Sequence, residues 1–275
     1  MPYRGISTHT VMLRGYNDDE IEAYVAKPEG DGRFPGVVVL HHMPGWDEWS
    51  LEVAWKLAHH GFAVAMPHLY SRYGPGDPDD MAARGRAAGG MPDDQVIGDA
   101  AGAAKFLKNQ AFSNGKVGII GFCSGGRQVY LVACRTNDFD AAVDCWGGGV
   151  IVDDESQLVP ARPVAPISLT PDLKIPLLGI FGNDDENPSP DEVNRTEEEL
   201  KRLDKTYEFY RYDGAGHAFF STDRYRYRPE QAVDAWQKVF SFFKRHLAAA
   251  AGPGSPPRFI GPAPNVSLTG RVPLR

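Results

Sequence analysis

The chain has 275 residues, an ordinary apolar content of 42% and a net charge of −7, enough for one large α/β domain or two small ones, with a sizeable core. Acids and bases are interspersed, which argues against a nucleic-acid or anionic-membrane surface, and no apolar stretch reaches the length of a membrane span. The three cysteines, Cys123, Cys134 and Cys145, include no CxxC pair; they suit a reducing cytoplasm rather than a disulfide scaffold, and Met1–Gly5 lacks the apolar run of a signal peptide.

Thr8–Leu13 and Ile21–Ala26 predict an antiparallel hairpin around the turn formers Gly15–Asp19. Gly36–Leu40 is apolar and β-branched without alternation, the mark of a parallel strand buried on both faces. Trp49–His60 predicts a helix with Val53, Ala54, Leu57 and Ala58 inward, and Phe62–Met66 another buried strand stopped by Pro67. His59 and His60 close the helix beside Gly61, where they favour its dipole. Adjacent helical residues point about 100° apart, and neither HExxH nor a Cys/His zinc spacing occurs, so no metal site is expected. Residues 69–94 are rich in turn formers, with a short helix at Met81–Ala88, and read as a cap or wall over a site. Gln95–Asn109 predicts a helix with Val96, Ala100, Ala103, Ala104 and Leu107 inward.

Lys116–Ile120 reads as a buried strand and runs into Gly121-Phe122-Cys123-Ser124-Gly125-Gly126. This is the nucleophile-elbow pattern G-x-S-x-G with cysteine for serine. Small residues on either side let strand and helix pack around a sharp turn that exposes Cys123, and the turn aims the N–H of Ser124 at a forming oxyanion. The alternative for Cys123 is an inert core cysteine. Ser124–Cys134 forms the following helix, in which Cys134 packs. Ala141–Trp146 predicts a strand whose last residues, Cys145 and Trp146, either line a pocket or pack in the core. Gly147-Gly148-Gly149 fits no phosphate-loop pattern and lets the backbone pass close to the site.

Residues 151–172 form a second excursion. Leu177–Gly182 is an apolar strand leading to Asp184 and Asp185, and the Gly182-x-x-Asp185 spacing favours Asp185 over Asp184 as a triad acid. Pro190–Leu203 predicts a helix with Val193, Thr196, Leu200 and Leu203 on one face. Phe209–Tyr212 ends in the turn Gly214-Ala215-Gly216, which presents His217 as the base. The order nucleophile, acid, base is that of the α/β-hydrolases. Glu230–Leu247 is the last helix, with Val233, Trp236, Phe240, Phe243 and Leu247 inward. The alternation predicts an α/β-hydrolase fold, with a mostly parallel central sheet, helices on both faces and an N-terminal antiparallel hairpin. Residues 1–250 form a single domain. The Pro/Gly-rich extension 251–275 is either a disordered end or an arm, with Ile260, Val266, Leu268 and Val272, that docks on its own or a neighbouring subunit in a homo-oligomer.

These segments resemble the dienelactone hydrolase family over nearly the whole chain apart from the tail. The motifs that carry the resemblance are Gly121–Gly126, Gly182–Asp185 and Gly214–Phe219. The resemblance implies a hydrolase that opens a small ester or lactone without a cofactor. Cys123, His217 and Asp185 would be nucleophile, base and orienting acid, with a thioester intermediate. It also implies that the N–H of Met43 joins that of Ser124 in the oxyanion hole. The family commonly carries a glutamate where this chain has His42, which is expected to favour the thiolate, hydrogen-bond a substrate or serve as a structural donor to the loop Pro44–Glu48. His42, Trp146 and Phe219 are the candidate substrate contacts. The family's arginine for a substrate carboxylate, four residues past the histidine, is here Ser221, with Arg84, Arg224 and Arg226 the candidates to compensate. Other readings of the same residues are a thioesterase or carbon–carbon bond hydrolase, or a ligand-binding protein that kept the fold without catalysis.

Overall fold

A computed structural model describes residues 5–222 and 225–249. Arg224, the 251–275 extension and its proposed arm therefore lie outside the described residues. Strands β1 (Ile6–Arg14) and β2 (Glu20–Pro28) form the expected hairpin, in register from Ile6 opposite Pro28 to Arg14 opposite Glu20. The other strands are β3 (Phe34–Leu40), β4 (Ala63–Pro67), β5 (Ser113–Phe122), β6 (Ala141–Cys145), β7 (Leu177–Gly182) and β8 (Tyr207–Tyr212). They stand in the order β1-β2-β4-β3-β5-β6-β7-β8, with β2 antiparallel to both neighbours and every pair from β4 to β8 parallel. The helices are α1 (Glu48–His59), α2 (Pro78–Ala87), α3 (Asp93–Lys108), α4 (Ser124–Arg135), α5 (Pro190–Arg202) and α6 (Pro229–His246). No helix among the described residues is long and apolar enough to cross a membrane.

Strand periodicity builds two cores. In β3, Val38 and Leu40 face one side and Val37 and Val39 the other, as a period of two requires. The first side is covered by α3 and α4, through Val96, Ala100, Ala104 and Val129. The second is covered by α1 and α6, through Val53, Leu57, Trp236 and Phe243. Both faces are thus dry, which is why these strands read as unbroken apolar runs. One inward expectation fails: Val233 is 56% exposed. The buried stripe of α6 runs through Ala232, Ala235, Trp236, Val239, Phe240 and Phe243. Val233 stands about 100° round from Ala232, just past the stripe's edge.

The strand order reverses between β3, whose chain leads to β4, and β5, whose chain leads to β6. A crevice opens at the carboxyl ends of strands at such a switch point. Leu40 pairs with Gly121 there, at the end of β3 and beside the last residues of β5. The segment after β3 is held by His41, whose Nδ1–H donates to the His42 carbonyl at 2.8 Å while Nε2 accepts the Leu69 N–H at 3.2 Å. Complete burial holds the His41 pKa at about 3, so the ring is neutral and fixed in one tautomer. The excursion after β4 is anchored by Arg72, which forks onto fully buried Asp99 at 2.8 and 2.9 Å and also reaches Asp19 at 2.7 Å.

At Gly125 the first turn of α4 meets β3 so closely that a Cβ would collide with the carbonyl oxygens of Leu40 and His41. Gly125→Ala is expected to destabilise the protein by about 1–3 kcal/mol, as overpacking does. The measurement is a lower midpoint in urea unfolding with an unchanged slope.

Candidate active site

Cys123 joins β5 to α4 with φ 55° and ψ −119°. A non-glycine residue in such a region costs about 1–3 kcal/mol and persists only when its surroundings over-determine it. Here they do. The Cys123 N–H donates to the Cys145 carbonyl at 3.0 Å, and the Cys123 carbonyl accepts from Gly126 at 2.9 Å. A Cβ on Gly121 would strike the carbonyl oxygen of Gly125, so no larger residue lets the helix start this close to the strand. Cys123 stays partly exposed at the helix N-terminus, where the dipole favours negative charge.

His217 follows β8 through a turn with Gly214 at φ 70°. Its Nδ1–H donates to Asp185 Oδ2 at 2.9 Å. The other oxygen of Asp185 accepts the Asn187 N–H at 2.9 Å, and the residue is only 5% exposed. Asp184 is exposed, and its N–H donates to the Ala215 carbonyl instead. Of the two acids, it is therefore Asp185 that the structure brings to the imidazole. Burial opposes a charge on His217, but hydrogen bonds to Asp185 and to Cys123, with the charges of both, outweigh it and raise the pKa from 6.5 to about 9. The ring is thereby biased toward its protonated form, and it shares the cleft with Cys123.

Two backbone donors flank the sulfur's cleft. Neither the Met43 nor the Ser124 N–H has a protein acceptor among the described residues. The Met43 N–H shares a peptide plane with the His42 carbonyl, which accepts both His41 Nδ1–H and the Gly45 N–H. In a planar trans peptide the N–H points opposite to its carbonyl, so these bonds fix the direction of the Met43 donor. The cleft itself has a volume of about 410 Å³ and is walled by Met43, Cys123, Ser124, Gly148, Gly149 and His217, among others. A second cavity of about 340 Å³, which reaches Tyr70, Arg86 and Gln128, shares Met43, Ser124, Arg127 and Arg162 with it.

The candidate substrate contacts lie elsewhere. His42 Nε2 bonds Asp47 Oδ2 at 2.7 Å, and Asp47 caps α1 by accepting the Ser50 N–H. His42 thus ties the loop to the helix start, the structural alternative among its three readings. Trp146 and Phe219 are 1% and 0% exposed and pack on each other and on Phe220 beneath the cleft. Arg84 is spent on the carbonyls of Tyr73 and Pro75. Arg226 lines a different cavity, with Asp184 and Glu186 beside His217. Sequence reasoning missed Arg127 and Arg162, which both line the cleft. Arg127 is the fourth residue after Cys123, one helical turn on, and this spacing was the available signal; it forks onto Asp93 at 2.7 and 3.3 Å. Arg162 comes from the irregular second excursion and donates to the Gly89 carbonyl at 3.2 Å. Under the elbow, burial pushes the Asp144 carboxyl up to about 8, although it accepts the Gly147 N–H at 2.8 Å.

The model of the dienelactone hydrolase family matches residues 21–247. A "Putative carboxymethylenebutenolidase" of Methylorubrum extorquens is 33% identical, over 84% of this chain and 79% of its own length. A "Probable 2-oxo-3-(5-oxofuran-2-ylidene)propanoate lactonase" of Bradyrhizobium sp is 29% identical, over 88% of this chain and 98% of its own. The crystal structure of a "Putative Dienelactone Hydrolase" from Klebsiella pneumoniae superposes with a TM-score of 0.79 at 28% identity, covering 88% of this chain and 99% of that one.

Because the His217 pKa is raised, its contribution to stability is complete below 6.5 and is lost as pH rises through about 9. An NMR titration of the ring should give a midpoint near that value, and Asp185→Asn should lower it. An unchanged midpoint in the variant would show that the carboxylate does not support the imidazolium.

Proposed function

The chain belongs to the dienelactone hydrolase family, and we propose that it hydrolyses small carboxylic esters or lactones through Cys123, His217 and Asp185. The observation that carries this reading is His217, bonded to Asp185 at 2.9 Å and lining one cleft with a cysteine held in a strained elbow. An imidazolium beside a sulfur favours the thiolate, which is the nucleophilic form.

The thiolate of Cys123 attacks the carbonyl carbon, and the pair of electrons displaced onto oxygen is held by the N–H groups of Met43 and Ser124. Such donors are commonly worth about 3–4 kcal/mol each. Collapse of the intermediate breaks the carbon–oxygen bond, and His217 gives its proton to the leaving alkoxide. In a lactone the alkoxide stays tethered to the acyl group. The neutral imidazole then takes a proton from water, the hydroxide attacks the thioester, and the thiolate and imidazolium are restored. Asp185 keeps the ring oriented and stabilises its positive form.

The Bradyrhizobium relative is named as the lactonase of a propanoate, an anionic lactone. In this chain Arg162 brings positive charge to the cleft of Cys123, beside Arg127, whose charge is paired with Asp93. We therefore assign it substrates that carry a carboxylate, read by these arginines in place of the residue at Ser221.

Cys123→Ala should lower kcat/KM on p-nitrophenyl acetate by about a thousandfold or more, and intact-mass spectrometry of the wild type during turnover should catch an acyl adduct on Cys123. Undiminished turnover in the variant would rule the mechanism out. Arg162→Ala should raise KM about tenfold for an ester carrying a free carboxylate while leaving a neutral ester unchanged; equal effects on the two would remove the assignment of anionic substrates.

A further inference from the structure

The glycine run after β6 has no part in the chemistry above, yet two of its members, Gly148 and Gly149, wall the cleft of Cys123 together with Val152. A run of glycines without a partner would be a loose wall. Here Gly149 takes φ 78°, the left-handed region that glycine enters at no steric cost. That reversal turns successive backbone N–H groups toward one point, the arrangement that makes a concave anion site. The point is occupied by a side chain of the protein. Glu192 Oε1 accepts the Gly149 N–H at 2.8 Å and the Val150 N–H at 3.1 Å.

Glu192 stands in the first turn of α5, next to its cap: Ser189 Oγ accepts the Glu192 N–H at 3.2 Å. A glutamate three residues past a serine cap ordinarily reaches back to the cap's own N–H. In this chain it reaches across to the wall. A second contact continues the grip, since Arg195, one turn on, forks onto Asp153 at 2.9 and 2.5 Å. That pair is exposed and contributes little alone. The charged groups around the Glu192 carboxylate are Arg195 on its own helix and Asp144 on β6, with Asp153 on the wall segment beyond.

We propose that Glu192 is a positioning residue for the cleft: an internal carboxylate, seated in a backbone anion nest at 149–150, that fixes the wall against which the acyl part of the substrate lies. The inference rests on the assignment of the Cys123 cleft as the reacting site and adds to it what sets its width. Glu192 touches no reacting atom, so its loss acts on substrate fit and spares the bond-breaking step. The vacated nest is open to a small carboxylate from solution.

The test uses the full chain and p-nitrophenyl esters of increasing acyl length, with folding checked by circular dichroism. Glu192→Ala should raise KM about tenfold for the longer esters while kcat stays within about twofold. Formate added at millimolar concentration should restore part of the lost KM, and Glu192→Gln, whose amide oxygen still accepts, should fall between the two. Wild-type KM across the whole series, or a loss confined to kcat that formate does not relieve, overturns the proposal. Should Glu192→Ala fail to fold, Glu192→Gln decides: a raised KM for long esters at constant kcat supports the nest, and wild-type values refute it. Cys123→Ala, run alongside, separates the two readings. Turnover surviving in that variant defeats the catalytic assignment, whereas turnover lost there with Glu192→Ala unaffected defeats this one.

Discussion

The first turn of α4 lies against the ends of β3 and β5 with no side chain between them, and the site exists because of that contact. Gly121 and Gly125 each stand where a methyl group would meet a carbonyl oxygen of the neighbouring segment. Their absent side chains let the helix begin directly above the strand end, which leaves Cys123 no ordinary backbone conformation. The strain is offset by the bonds from Cys123 to Cys145 and Gly126 and by the two-sided core below. What the contact yields is directional: an exposed sulfur, an adjacent N–H and a helix dipole all point into one crevice.

The remaining parts of the site reach that crevice from separate elements, and each is fixed by a buried or half-buried polar group that is itself hydrogen-bonded. His41 governs the peptide that carries the Met43 N–H. Asp185, held by Asn187, governs the ring of His217. Asp93 governs Arg127, and Glu192 the wall. In a low-dielectric interior, bonds of this kind are strong when complete and costly when half made. A geometry assembled from the ends of five strands, β3, β5, β6, β7 and β8, is thereby held without any residue bridging the whole of it.

Much of this was legible in the sequence. The hairpin and the buried strands follow from apolar runs and turn formers, and the elbow from the spacing of Gly121, Cys123 and Gly125. The pairing of Asp185 rather than Asp184 with the imidazole followed from a two-residue gap after Gly182. Other features had no local signal. Trp146 and Ala218 take φ 44° and 61°, a left-handed turn that a non-glycine residue does not announce, and these reversals stand where Trp146 and Phe219 turn into the core. Val233 missed burial by one helical position. Arg162 belongs to a segment without periodicity, and Glu192 carries a capping-box signature whose side chain was diverted to another element. In each case a partner distant in the chain decides the outcome.

The carboxyl of Asp144, sealed beneath the start of α4, titrates at about 8 because it is buried. At neutral pH burial therefore favours the protonated form, and in that form the floor under Cys123 carries no formal charge. In the acyl transfer proposed for Cys123 an oxygen bears a full negative charge, and an anion buried beneath the start of α4 would raise the energy of that state. Keeping the proton spares the crevice a further negative charge. In alkaline solution the same carboxyl would ionise in dry surroundings and set a negative charge beneath the start of α4, against the oxyanion proposed there.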